Sequence, residues 1–125
     1  METVSGGVKR ALAEADQALS SAEEILELKP VAPEILPMVQ SAAGSLLKAF
    51  IHYRGETPIR LELQSLWQQC VSLEPEFLEL QETLECLSPD SPADDWDAED
   101  FSEILDAANE VWDFTVGFLP EACLP

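Results

Sequence analysis

Beyond Arg60 the chain contains no lysine, no arginine and no histidine, although more than half of its 125 residues follow that point. This excludes a nucleic-acid-binding face in the second half, because affinity for a phosphate backbone rests on neutralising it with cations. Seventeen acidic residues occupy the same stretch, against eight acidic and six basic residues from Met1 to Arg60. The net charge of −19 makes direct nucleic-acid binding an unfavourable reading throughout. Histidine is nearly absent, with His52 alone. The three cysteines, Cys70, Cys86 and Cys123, form no CxxC pair and are odd in number, so they read as reduced thiols of a cytoplasmic protein. No apolar run approaches the ~20 residues that span a bilayer. The first residues lack the basic-then-apolar pattern of a signal peptide.

The same scarcity narrows the chemistry. A structural zinc site needs four clustered Cys or His ligands, and four such residues exist in all, scattered along the chain. The Glu-x-x-His pairs of a di-iron bundle are missing, as is a glycine-rich phosphate loop. Asp94-Asp95-Trp96-Asp97-Ala98-Glu99 lacks the glycine and the spacing of an EF-hand loop, and reads better as the acidic start of a helix. No catalytic residue, metal site or cofactor is therefore assigned.

What is present is helical periodicity. Hydrophobic residues make up 46% of the chain, enough to build a core despite the charge. Val8, Leu12, Ala15, Leu19, Ala22 and Leu26 recur at steps of four and three, which predicts a helix from about Gly6 to Lys29, closed by Pro30. A second helix from about Glu34 to Tyr53 carries Leu36, Val39, Ala43, Leu46, Leu47 and Phe50, with Gly55 just past its end. Thr57-Pro58 reads as the cap and first residue of a third helix carrying Ile59, Leu63, Leu66, Trp67 and Cys70. Glu74-Pro75 breaks it, and a further helix carries Phe77, Leu80, Leu84 and Leu87. Asp97 is the expected cap of a last helix with Phe101, Ile104, Leu105, Ala108, Val111, Trp112 and Thr115 on one face. The expectation is a single all-α domain over 1–125, an antiparallel bundle of four to five helices. A tail at 1–5, an acidic loop at 88–96 and a tail at 120–125 flank or interrupt it.

Gln40-Ser41-Ala42-Ala43-Gly44-Ser45-Leu46-Leu47-Lys48-Ala49-Phe50-Ile51-His52-Tyr53-Arg54-Gly55 resembles the central helix of HEPN domains. Gln40, Ala42, Ala43, Leu47, Lys48, Ala49, Arg54 and Gly55 match that family's usual run without a gap. Ala13-Glu14-Ala15-Asp16-Gln17-Ala18-Leu19 is similar to its opening helix. The departures are equally specific. Active HEPN ribonucleases carry an Arg followed at four to six residues by a His, and no such pair exists here. In-line attack by a ribose hydroxyl needs a proton acceptor and a cation for the developing charge. The resemblance thus implies a HEPN-like bundle, non-catalytic rather than a ribonuclease. It also implies a homodimer, or a toxin–antitoxin-like pairing with a nucleotidyltransferase-type or other basic protein partner. An acidic decoy that mimics a nucleic-acid backbone is the alternative. Gln40, Lys48, His52, Arg54 and Trp96 are the candidate partner or ligand contacts. Dimerisation is expected through the apolar excess of Phe50, Ile51 and Tyr53 with Phe114, Val116, Phe118 and Leu119. Gly44 is expected to permit close helix–helix approach.

Overall fold

The computed structural model describes residues 2–88 and 95–119, with side chains from residue 7 onward. The described residues form helices α1 (Glu2–Leu28), α2 (Ile35–Tyr53), α3 (Leu63–Leu73), α4 (Gln81–Cys86) and α5 (Ala98–Val116), and a 3₁₀ segment at Pro75–Leu80. No strand occurs among them, and none of these helices is long and apolar enough to cross a membrane. The tail expected at 1–5 is already helical from Glu2: Gly6 and Gly7 cost about 1 kcal/mol each in a helix but do not block it. Residues 89–94 of the expected acidic loop and the tail at 120–125, with Cys123, lie outside the described residues.

The periodic stripes become the core. Val8, Leu12, Ala15, Leu19 and Ala22 of α1 are buried, as are Phe101, Ile104, Ala108 and Val111 of α5. Burying a side chain of Leu, Ile or Phe size stabilises by roughly 1.5–3 kcal/mol, so these stripes dominate the fold. α2 is buried on more than one face, because α1, α3 and α5 all pack on it. Its end closes as a Schellman motif: Gly55 adopts φ 80°, its N–H donates to the His52 carbonyl (2.9 Å), and the Glu56 N–H donates to that of Ile51 (3.1 Å).

Most of the apolar excess of α2 and α5 packs within the bundle, with Phe114, Val116 and Phe118 partly buried. Phe50, Phe77, Phe114 and Phe118 stack at one end of the bundle with centroids 4.5–5.8 Å apart. Ile51 and Leu119 are buried with them, and of that set only Tyr53 is exposed. Phe77, supplied by the 3₁₀ segment, is the missing partner that covers both helix ends. Trp67 pins this segment, its indole N–H donating to the Phe77 carbonyl at 2.7 Å.

Two expectations are corrected. The third helix begins at Leu63, not at Thr57-Pro58, and Ile59 is 84% exposed. Gln69 accounts for this by clamping the preceding segment: its Nε2 donates to the Thr57 carbonyl and its Oε1 accepts from the Ile59 N–H, each at 3.0 Å. The bundle is also not simply antiparallel. α1 and α2 are, since the His52 imidazole lies over Gly7, and so are α4 and α5, since Thr83 meets Glu110 while Cys86 lies beside Glu103. α3, however, runs in the same sense as α2. Leu66 sits on Gly44, Cys70 donates to the Leu47 carbonyl, and Phe77 stacks on Phe50. Residues 54–62 are the return segment that makes this possible.

Candidate functional site

α2 distributes the sequence-derived contact residues over different surroundings. Gln40 is half-buried and donates from Nε2 to the Leu87 carbonyl at 2.7 Å, tying α2 to the end of α4. Two turns on, Lys48 is half-buried and borders a groove with Gln40, Ser41 and Gly44, closed on the other side by Leu61, Leu63 and Ser88. Among the described residues lining that groove, Lys48 is the one titratable side chain. His52 faces α1: a β-carbon at Gly7 would stand 3.6 Å from its ring. Arg54 lies past the end of α2 with its guanidinium 5.7 Å from the Phe50 ring centre, a cation–π contact at the wall of the aromatic cluster. Trp96 is half-buried, packed 5.3 Å from Phe101 at the start of α5, where it covers the core rather than protruding. The structure thus brings Gln40 and Lys48 to one groove and leaves His52, Arg54 and Trp96 apart from it.

The two cysteines among the described residues, Cys70 and Cys86, are poor nucleophiles. Burial pushes Cys70 up to about 12, and its Sγ donates to a carbonyl. Cys86 is also raised, first by burial and then by the nearby carboxylates Glu103 and Glu110. The thiolate, the reactive form, is disfavoured at both. No group of three or more metal-ligating side chains occurs among the described residues.

A second arrangement emerges on α5. Glu99, Glu103, Asp106, Glu110 and Asp113 recur at steps of four and three, opposite the buried stripe, and all five are exposed. At 1.5 Å per residue the row is about 21 Å long. α4 adds Glu82 across one groove, which Thr83 helps to close by donating to Glu110 at 2.9 Å. α1 adds Glu23 and Glu27 across another, floored by Leu26 and Leu105. Asp106 borders both grooves. The only ion pair among the described residues, Lys29–Glu34 at 2.6 Å, lies at the α1–α2 turn, so no cation offsets the row. Like charges three or four apart on a helix cost about 0.2–0.5 kcal/mol per pair, or about 1–2 kcal/mol over four pairs at low salt. The row was readable in the sequence from its spacing, the same heptad-like step as the apolar face.

No family model, curated protein or solved structure matches this chain.

Proposed function

We propose that this chain is a non-catalytic, HEPN-like interaction module whose acidic α5 face receives a basic protein, of nucleotidyltransferase type or otherwise. The carboxylate row of α5, between two further acidic helices and without a compensating cation, is the observation that supports the reading. It is held in place by a fully packed helix, so a partner's cations meet a preorganised row rather than a loop that must first be ordered. The sequence has no Arg followed at four to six residues by a His, the pair active ribonucleases of that family carry, and this supports the non-catalytic reading.

The test compares three versions of the chain as bait in lysate of the source organism. The second carries Glu103→Gln, Asp106→Asn and Glu110→Gln. The third carries the same loss of charge on α1, through Glu14→Gln, Asp16→Asn and Glu24→Gln. A basic protein retained by the first and third baits at low salt, and lost from the second, is the expected result. Its release by added DNA, with the two competing for one basic groove, would identify the chain as a decoy. Equal capture by all three baits would reduce the acidic face to solubilising surface and overturn the proposal.

A further inference from the structure

The return segment holds two large aliphatic side chains in solvent, and it does so by construction. Ile59 is 84% and Leu61 69% exposed. The backbone leading into them is held by the Gln69 amide, which donates to the Thr57 carbonyl and accepts from the Ile59 N–H. The segment forms a ridge with a groove on each side. Ile59 and Arg60 border a groove walled by Gln68 and Gln69 of α3, while Leu61 borders the Lys48 groove of α2. An apolar ridge between two grooves fits another of its own kind, each ridge seated in a groove of its mate.

Charge selects the occupant. Arg54, Glu56, Arg60 and Glu62 alternate in sign and sum to zero, in a chain whose net charge is −19. At physiological ionic strength the Debye length is about 8 Å, so contact is decided by charges near the ridge rather than by the distant acidic face. In a twofold pairing the same patch meets itself, so Arg60 of each copy can face Glu62 of the other. The other exposed aliphatics lack this property. Leu28 and Val31 stand beside Glu24 and Glu27, and their nearest cation, Lys29, is already paired with Glu34. Leu78 stands between Glu76 and Glu79.

We infer that the ridge at Ile59–Leu61 is the docking surface for a second copy of this chain, paired about a twofold axis. The inference is independent of the acidic face and of any basic partner. Sedimentation at about 100 µM in physiological salt, which fills a site of micromolar affinity, should show a dimer of the full chain. Ile59→Asp with Leu61→Asp should give a monomer whose melting curve matches the wild type's at dilutions where the wild type is itself monomeric, since both side chains are in water in the single chain. Arg60→Glu should also give a monomer, and adding Glu62→Arg to it should restore the dimer. Leu28→Asp with Val31→Asp should leave the dimer intact. A wild-type monomer at that concentration would overturn the inference, as would a dimer that survives Ile59→Asp with Leu61→Asp. A charge-swapped double variant that stays monomeric would overturn the twofold pairing.

Discussion

Gly44 within α2 and Gly55 just past its end have opposite physical roles. Gly55 sits at φ 80°, in the left-handed region where a β-carbon collides with the backbone. Gly55→Ala should destabilise the fold by about 1–2 kcal/mol. Gly44 was read from the sequence as a close-approach residue, but a β-carbon there would stand 3.7 Å from Leu66 Cδ1, ordinary contact. Gly44→Ala should therefore stabilise by about 1 kcal/mol, through helix propensity. Chemical denaturation of the two variants checks both signs, and a loss of stability in Gly44→Ala would show that α3 packs tighter than its side chains indicate. Gly55 was legible because helix ends impose a local conformation. Gly44 was not, because spacing along one helix says nothing of how near its neighbour comes.

At the scale of elements, α5 carries the clearest local signal. Asp97 accepts from the Asp100 N–H at 3.0 Å while the Asp100 carboxylate accepts from the Asp97 N–H at 3.1 Å, a reciprocal capping box. Asp97→Ala should cost about 1 kcal/mol. The same change should lower amide-exchange protection most in the first turn of α5, and uniform loss along the helix would mean that the box does not set its start. The opposite case is Thr57-Pro58, which has the residue types of a helix start and is none. There Gln69, twelve residues on, takes the backbone groups that a first helical turn would have used. A cap within three residues can be read from a sequence; a clamp from a later helix cannot.

The molecule as a whole separates its charges. Every lysine and arginine lies in α1, α2, the turn between them or the return segment, while α4 and α5 carry only acidic charge and α3 carries none. Self-repulsion of the acidic helices opposes the fold, so salt should stabilise the isolated chain. Raising NaCl from about 0.01 M to 0.15 M shortens the Debye length from ~30 Å to ~8 Å. Relief of about 1–2 kcal/mol then corresponds to a rise in Tm of about 3–8 °C. Glu34 works in the other direction: its hydrogen bond to Lys29 holds its carboxyl below the usual range, a contribution present above that range and lost as pH falls through the lowered value. One exposed pair is worth little beside the row on α5. Thermal melts across that salt range decide the matter, and a flat or falling Tm would mean that the carboxylates are too dispersed to interact.

Composition and periodicity by themselves determined the helical class, the buried stripes of α1, α2 and α5, the break at Glu74-Pro75 and the charge imbalance. Each of these follows from interactions within about one turn of helix, where neighbours in sequence are neighbours in space. Only the tertiary structure decided that α3 runs with α2, that the aromatic excess closes on Phe77 inside the fold, and that Ile59 and Leu61 are left outside it. Those outcomes depend on which faces meet across tens of residues. A side chain's periodicity shows that it needs a partner surface, whereas the packing of the whole chain selects which surface that is.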